Sequence, residues 1–574
     1  MTTCYQSEIL IIGAGLAGIT CALELLEKGC EVLLLDGASR QQCGGQANDA
    51  FGGMLFCDTP EQRRLGLRDS SRLLLADWRR AAAFQPEDHW GHAWAAAYAE
   101  HARSEVYDWL KDHGIRFLPM VQWVERGNHG DGNSLPRYHV AWGCGRGIVQ
   151  TLAGKLFHHQ RRRSLTTLFD HKVEELVTEA GTVTGARGHG PDGEFEIKAA
   201  AVVVASGGIN GSPERVRAHW DPIYGNCPDN LLFGTDPRAD GLLHDAIGNA
   251  GGRVSGLGRM WNYAAGIAHP DPRYPHHGES LIPARSALWL DAHGRRIGPT
   301  PLVSGRDTHD LCKTLGHLPG QYGWQVLNWK IAIKELAVSG TDSNPHFRDR
   351  RLAALLWQQL TGNRALASEL IAHYPDVLAG SSLQELAVRM QSLAADGRLT
   401  PGNLYAAVYR YDTAIERGPA LHNDEQIAVL QQMRRWRGDR MRLCNLQKIN
   451  DPAAGPLIAI RTRLICRKSL GGMHTDLDSR VVGKDDVPLP GLYAIGEAAG
   501  FGGGGICGVR SLEGTFLSGC IFTARRAARH LAGPSHSRGQ HNEKNRSTTG
   551  APGAGTTGHS LHVRHSRRAQ HRTV

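Results

Sequence analysis

The first 36 residues alternate between continuous apolar runs and a helical period. Residues 8–13 read EILIIG, a run typical of a parallel strand that is covered on both faces. Residues 19–29, ITCALELLEKG, repeat apolar positions at helical spacing, and residues 30–36, CEVLLLD, form a second apolar run. The pattern predicts a right-handed strand–helix–strand unit with a glycine turn before the helix.

The rest of the chain changes pattern three times. Thr59 to Gly114 is helical, with tryptophans spaced for core packing, and residues 165–205 break into short strands. Residues 253–455 mix helices with loops rich in Pro, Gly and His, and strand-like runs return from Leu457. These changes predict an α/β fold, in which a Rossmann-type domain with a parallel sheet is interrupted by an α+β capping domain. The predicted divisions are residues 1–252, 253–455, 456–532 and 533–574.

The net charge of +9 comes mostly from the end of the chain. The last 41 residues hold seven Lys or Arg and one Glu, a net charge of +6, and almost no apolar side chains. Such a segment cannot offset its ordering entropy by burial. We therefore predict a disordered basic tail, favoured over a nucleic-acid-binding or membrane-tethering arm, and no nucleic-acid partner.

Membrane and metal signals are weak in this sequence. No run approaches the roughly 18 apolar residues of a membrane span, and the start MTTCYQSEIL lacks a leader pattern, which predicts a cytoplasmic protein. The twelve cysteines are scattered singly, without a C-x-x-C pair or a zinc-type spacing. We expect buried thiols and no metal site.

The glycine turn carries a dinucleotide-binding pattern. Gly13, Gly15 and Gly18 stand in G-x-G-x-x-G between the first strand and the helix. The first glycine permits the tight turn, the second lets the backbone approach a pyrophosphate, and the third lets helix and strand pack closely. Asp36 ends the second strand, where a carboxylate can accept ribose hydroxyls. The pattern predicts a bound dinucleotide.

Three further segments resemble one flavoprotein superfamily. They are Cys43–Ala47 with Phe51–Gly53, the strand Ala201–Gly208 that ends in ASGG, and Gly491–Ala498, which reads GLYAIGEA. In this order the segments are similar to the fumarate reductase/succinate dehydrogenase flavoproteins over about residues 8–532. Stretches such as GNSLPRYHVAWG, RMWNY and LGGMHTDLD most resemble bacterial FAD-binding dehydrogenases similar to 3-ketosteroid dehydrogenases.

The resemblance implies FAD as cofactor and a set of contacts along the chain. The attachment histidine of succinate dehydrogenases has no counterpart before Gly44, where Arg40–Cys43 stands, so we expect non-covalent FAD. The predicted cofactor residues are Gly13, Ala14, Gly15, Leu16, Ala17, Gly18, Asp36, Gly37, Gly44, Gly45, Gln46, Ala47, Gly52, Gly53, Val173, Ala205, Ser206, Gly207, Asp240, Gly496, Glu497, Ser511 and Leu512.

The resemblance also implies redox chemistry at a C–C bond next to a carbonyl or carboxylate, which needs hydrogen-bond donors and one acid or base. Arg306 follows a segment that resembles the one leading to the family's catalytic acid; the alternative is a surface or ion-pairing arginine. Lys468 stands where fumarate reductases place a substrate-binding histidine. Arg510 stands beside the position of their carboxylate-clamping arginine. Either Lys468 or Arg510 could instead hold backbone or pyrophosphate.

Other donors are candidates for the same site. His474 follows the glycine pair after Lys468. No tyrosine occurs between Phe501 and Leu531, where ketosteroid dehydrogenases use one, so a phenol would come from elsewhere. The tyrosines weighed for this role, each with a structural role as its alternative, are Tyr138, Tyr263 and Tyr322.

The sequence thus predicts an FAD-dependent oxidoreductase that dehydrogenates or reduces a C–C bond of a hydrophobic, steroid-like or polycyclic substrate. One alternative is a fumarate-reductase-like enzyme for small dicarboxylates, which would need both Arg306 and Arg510. Another is a flavin-binding protein without turnover. No second G-x-G-x-x-G lies in a strand–turn–helix setting, which disfavours a dedicated NAD(P)H domain. Oxygen, a quinone and an electron-transfer protein stay open as electron acceptors.

Overall fold

A computed structural model describes residues 2–298, 300–500, 507–510 and 512–533. The strands, in chain order, are β1 Thr3–Ile12, β2 Val32–Leu35, β3 Gly53–Leu55, β4 Tyr138–Val140, β5 Leu165–Leu168, β6 Lys172–Glu179, β7 Thr182–Gly190, β8 Gly193–Val204, β9 Leu232–Phe233, β10 Val254–Ser255, β11 Met260–Ala268, β12 Gly278–Ile282, β13 Leu288–Leu290, β14 Tyr322–Asn328, β15 Ala337–Val338, β16 Val377–Gly380, β17 Leu457–Ser469, β18 Gly472–Met473, β19 Arg480–Val482 and β20 Pro488–Ala494. The predicted basic tail lies outside the described residues from position 534 onward.

Helices cover much of the remaining described chain. They are α1 Leu16–Glu27, α2 Pro60–Arg64, α3 Ser71–Ala82, α4 His89–Ala102, α5 Trp109–Asp112, α6 Cys144–Phe157, α7 Pro213–Ala218, α8 Leu242–Asn249, α9 Thr308–Gly316, α10 Trp329–Glu335, α11 Pro345–Arg348, α12 Leu352–Thr361, α13 Arg364–His373, α14 Leu383–Ala394, α15 Pro401–Glu416, α16 Glu425–Met433, α17 Arg437–Arg442 and α18 Thr515–Ala532. Within the described ranges, none of them combines the length and apolar character that crossing a bilayer requires.

The first sheet has the strand order β19-β20-β8-β1-β2-β5, and the β6–β7 pair extends from β8. Its centre is parallel: β1 pairs in parallel with both β2 and β8, and β8 with β20. Ile9 and Ile11 face the core formed by α1 and α18, whereas Leu10 and Ile12 pack in the cluster on the other face. The predicted strand–helix–strand unit is confirmed, because both faces of β1 are covered.

The second sheet is mostly antiparallel and has the order β13-β14-β17-β11-β12-β15, with β16 and β9 also paired to β17. The long strand β17 pairs with β14, β11 and β16, which makes it the centre of this sheet. The helices α9, α10, α13 and α14 pack residues into its hydrophobic core. The α/β class with a Rossmann-type parallel sheet and a second mixed unit is therefore confirmed.

The segment Leu457–Ser469 follows the predicted division after residue 455 and forms the central strand of the second sheet. An apolar run does not reveal which sheet it joins, because β17 is as buried as a central Rossmann strand. The return to the first sheet comes with β19 and β20. The domain divisions stay predictions.

Candidate functional site

A cavity of about 430 Å³ lies between the carboxyl ends of β1, β2 and β8 and the end of β17. Parallel strands present their carboxyl ends at one edge, where α/β proteins commonly bind ligands. Residues of the turn before α1 and of the second sheet, including Lys468 and Tyr263, line this one cavity. Two regions of it differ in how they are built, and they are described in turn.

The first region is the phosphate turn, residues Gly13–Gly18. Gly13 has φ +111°, and a Cβ there would lie 2.4 Å from the carbonyl oxygen of Ala205. A Cβ on Gly18 would lie 1.9 Å from the carbonyl oxygen of Gly13. A Cβ on Gly15 would meet no atom within 4 Å, and Gly15 lines the cavity at the N-terminus of α1, which has no side-chain cap. This open cradle fits a pyrophosphate held by the first amides of α1.

Asp36 fixes the end of β2 beside the phosphate turn. Its carboxylate accepts hydrogen bonds from the backbone N–H groups of Ala14 at 2.6 Å and Ala38 at 2.7 Å. Burial raises the pKa of Asp36, while these two hydrogen bonds and the nearby Arg238 act to lower it. Arg238 also lines the cavity and was not predicted. The Asp36 carboxylate thus lines the cavity beside the phosphate turn.

The predicted flavin segment lies against the same turn. The N–H of Gly44 donates to the carbonyl of Ala14 at 2.8 Å, and Gln46 Nε2 donates to the carbonyl of Arg467 at 3.1 Å. Glu497 Oε1 accepts from the N–H of Ser469 at 2.9 Å, and burial raises the pKa of Glu497 to about 7. Gln46 and Glu497 therefore join the two sheets along the cavity wall.

Most of the predicted cofactor residues line the cavity. They are Gly13, Gly15, Leu16, Ala17, Asp36, Gly37, Gly44, Gly45, Gln46, Ala47, Gly52, Gly53, Val173, Ala205, Ser206, Gly207, Asp240 and Glu497. Four do not, because they pack behind its wall: Ala14, Gly18, Gly496 and Leu512. Ser511 lies outside the described residues.

The second region is the Tyr–Lys–Glu cluster, formed by Tyr263, Lys468 and Glu513. Lys468 Nζ donates to Tyr263 Oη at 3.0 Å and lies 3.9 Å from the centre of the Phe516 ring. Tyr263 Oη lies 3.3 and 3.4 Å from the two carboxylate oxygens of Glu513, and Trp261 Nε1 donates to the nearer one, Oε2, at 3.0 Å. The three side chains line the cavity and form a donor chain that ends on a carboxylate.

Strand register brings this cluster together. Trp261 on β11 stands opposite Lys468 on β17, and the register shifts by one residue directly after this pair. Opposite residues of an antiparallel pair, and alternate residues of one strand, share a face, so Trp261, Tyr263 and Lys468 project to one side. The residues preceding α18 then carry Glu513 to that face.

Burial tunes the ionisation of the cluster. It lowers the pKa of Lys468 to about 8, although Glu513 favours the charged ammonium. Burial, followed by the negative charge of Glu513, raises the pKa of Tyr263 well above its ordinary value. At neutral pH the lysine is therefore an ammonium and the tyrosine a phenol, so both can donate hydrogen bonds.

The other predicted catalytic side chains do not line the cavity. Arg510 forms ion pairs with Asp131 at 3.0 Å and Asp307 at 3.1 Å. The Nε of Arg306 is buried without a hydrogen-bond partner, and burial lowers the pKa of Arg306. His474 Nε2 lies 2.5 Å from Ser255 Oγ, and burial lowers the pKa of His474 to about 4.

Of the three tyrosines considered as phenol donors, two line the cavity and one does not. Tyr263 and Tyr138 line the cavity. Tyr322 instead donates to Asp396 at 2.7 Å within the second sheet's layer. Glu513 was missed by the sequence analysis, and its only signal is that an acidic residue precedes a helix beside the predicted Ser511 and Leu512. Among the described residues, no His, Cys, Asp or Glu group is arranged to hold a metal ion.

Comparison with known proteins connects this site to one family. The FAD binding domain family matches residues 8–517. A KsdD-like steroid dehydrogenase of Mycobacterium tuberculosis is 42% identical over 549 residues, which cover 92% of this chain and 96% of the relative.

Solved structures share the fold at lower identity. A 3-ketosteroid Δ1-dehydrogenase from Sterolibacterium denitrificans superposes with a TM-score of 0.65 at 15% identity, covering 92% of this chain and 99% of that one. A flavocytochrome c3 fumarate reductase gives a TM-score of 0.64 at 18% identity, covering 93% and 79%. The chain therefore belongs to the FAD binding domain family, as a flavin-dependent oxidoreductase with FAD as its cofactor.

Proposed function

We propose that the protein is a dehydrogenase that removes two hydrogens from a C–C bond next to the carbonyl group of a steroid-like substrate. The observation that carries this proposal is the Tyr–Lys–Glu cluster, because it puts two donors and one carboxylate into the cavity that fits FAD. The relative at 42% identity, named as a steroid dehydrogenase, supports the substrate class. We further propose that FAD is held non-covalently.

The donors of the cluster suit the substrate's carbonyl oxygen. Removing a proton from the carbon next to a carbonyl places negative charge on that oxygen. The Lys468 ammonium keeps two N–H groups beyond the one it gives to Tyr263, and it lies in a buried setting where water competes little. Lys468 is therefore assigned to bind and polarise the carbonyl, with Tyr263 holding it in place.

The carboxylate of Glu513 is suited to accept the proton that leaves the substrate. Glu513 accepts hydrogen bonds from Trp261 and Tyr263, so its orientation is fixed and a lone pair stays available. Glu513 is assigned as the base that takes the proton from the carbon next to the carbonyl. FAD, when bound, supplies the acceptor for the hydride that leaves the neighbouring carbon.

The arginine placement disfavours the dicarboxylate alternative. The fumarate-reductase-like alternative relies on Arg306 and Arg510 facing the substrate, and neither of them lines the cavity. The arginines that do line it, Arg238 and Arg467, donate to Asp236 and to the carbonyl of Ser339. Arg510 is also engaged by two carboxylates. We also propose a cytoplasmic location. We further propose that the electron acceptor is not a nicotinamide cofactor bound in a separate domain of this chain.

The test uses the purified yellow holoprotein under anaerobic conditions. Mixing it with 4-androstene-3,17-dione is expected to bleach the oxidised flavin absorbance and give a product lighter by two hydrogens in mass spectrometry. Succinate serves as the control and is expected to leave the flavin oxidised. Bleaching by succinate alone would favour the dicarboxylate enzyme. A bound flavin that no 3-ketosteroid reduces would contradict the dehydrogenase proposal.

A further inference from the structure

Helix α12 presents apolar side chains to solvent on the side where a surface helix normally carries polar ones. Trp357 is 68% exposed and Leu360 is 81% exposed. The exposed residues of α12 are Leu352, Ala353, Leu356, Trp357 and Leu360. The polar Gln358 and Gln359 are turned partly toward the protein instead. The helix is thus amphipathic with its apolar side outward.

The exposed apolar residues of α12 do not attach the helix to the protein, because the buried Leu355 does so. At 100° per residue, Leu352, Leu356, Leu360 and Trp357 cover an arc of about 140° on the opposite side. We call these four residues the α12 patch. A contiguous exposed apolar patch of this kind marks a binding surface for a partner or a membrane.

The charges beside the α12 patch have one sign. Residues 350–364 contain three arginines and no acidic residue. Arg350, Arg351 and Arg364 are all exposed. The preceding Asp349 is engaged by Arg348, whose Nε lies 2.7 Å from Asp349 Oδ1, and it also lies 3.8 Å from Nη2 of Arg351. Large apolar side chains bordered by arginines match the interface of a bilayer that contains anionic lipids.

The segment that leads into α12 lies against the cavity wall. Phe51 lines the cavity, and its ring packs edge-on at 5.5 Å against Phe347 of α11, four residues before Arg351. Thr341 Oγ1 donates to the carbonyl of Ala50 at 2.9 Å. Ala50 also lines the cavity, so the α12 patch belongs to the same part of the molecule as the substrate space.

We propose that the α12 patch and its three arginines dock the enzyme on an anionic lipid surface. The inference deepens the proposed function and rests on it for its purpose: a steroid-like substrate dissolves in lipid, and a docked enzyme takes it from there. A second copy of the chain is the other possible occupant, and the experiment below distinguishes it from a lipid surface. Docking needs no membrane-spanning helix, since α12 lies in the plane of the interface.

The experiment is sedimentation of the full-length holoprotein with phosphatidylcholine vesicles, with and without phosphatidylglycerol. We expect cosedimentation with the anionic vesicles and about tenfold weaker binding to phosphatidylcholine alone. The double variant Trp357→Asp/Leu360→Asp is expected to stay in the supernatant with its flavin absorbance unchanged. The matched control, Leu421→Asp/Val487→Asp, removes apolar residues that are equally exposed elsewhere and should bind like the wild type.

The arginines are tested separately with Arg350→Glu/Arg351→Glu, which should remove the preference for phosphatidylglycerol. Equal sedimentation of the wild type and the Trp357→Asp/Leu360→Asp variant would overturn the proposal. A second result would also overturn it: the wild type binds neither kind of vesicle and is a dimer, and the Trp357→Asp/Leu360→Asp variant is a monomer. The patch would then join two copies of the chain. Because no substrate enters the assay, its result stands whether or not the steroid reaction is observed.

Discussion

The phosphate turn and the Tyr–Lys–Glu cluster line one cavity but are built in opposite ways. The turn uses the backbone of six consecutive residues, and its requirements are a positive φ and empty space. The cluster uses side chains of residues that lie 205 and 250 positions apart in the chain. The backbone-built region depends on local spacing, whereas the side-chain-built region depends on the register between β11 and β17.

The largest effect is expected for substitutions in the phosphate turn. Gly18→Ala puts a Cβ against the carbonyl of Gly13, and backbone cannot move aside as a flexible side chain can, so the variant should lose about 3 kcal/mol of unfolding free energy. Gly15→Ala meets only cavity space and should keep its stability while binding FAD about tenfold to 100-fold more weakly. Thermal unfolding and FAD titration separate the two.

An equal loss of stability in both glycine variants would mean that the space beside Gly15 is not open. Wild-type FAD affinity in Gly15→Ala would mean that the pyrophosphate lies elsewhere.

The contrast between the backbone-built turn and the side-chain-built cluster also explains how much of the site could be predicted from the sequence. Gly13, Gly15, Gly18 and Asp36 were found because the fingerprint and its strand–helix–strand setting are local. Lys468 was a candidate by resemblance and Tyr263 was one of three tyrosines that could supply a phenol, but nothing in the sequence showed that they touch each other. Glu513 was missed because its partners come from strands far away in the chain. Nothing in the sequence showed that β17 pairs within the second sheet, because burial alone does not identify pairing partners.

The base of the cluster gives the next largest effect. Glu513→Gln keeps the shape of the side chain but cannot accept the proton, so kcat should fall about 100-fold. Flavin content should not change. The control is Glu125→Gln: burial raises the pKa of Glu125 to about 8, so Gln imitates the neutral acid, and this residue does not line the cavity. Comparable losses of kcat in both variants would remove Glu513 from its role.

The donor of the cluster is tested by Lys468→Met. The variant loses the ammonium that stabilises charge on the substrate oxygen, and kcat/KM should fall about 100-fold. The methionine still fills the space beside Phe516, so the fold and the flavin absorbance should be retained. Steady-state kinetics with a 3-ketosteroid measures the loss. If FAD is lost instead, Lys468 serves the cofactor rather than the substrate.

The pH dependence sharpens the role of Lys468. Its pKa is lowered to about 8 by burial, and the active form is the ammonium, so kcat/KM should fall about tenfold per pH unit above pH 8. In Lys468→Arg the cation persists at higher pH, so the falling limb should disappear even if the overall rate is lower. A wild-type rate that rises through pH 8 would show that the neutral amine acts as a base.

The smallest effect is expected at Arg306, the arginine that the resemblance favoured as the acid. It lies off the cavity wall, and its backbone carbonyl accepts from the N–H of Gly127 whatever its side chain is. Arg306→Ala should therefore leave kcat within about threefold, because substitutions away from the reacting groups change rates little. A loss of 100-fold or more with full flavin content would reverse the comparison. The reaction would then depend on a residue outside the Tyr–Lys–Glu cluster, and the local resemblance would have located the acid better than the register of the sheet does.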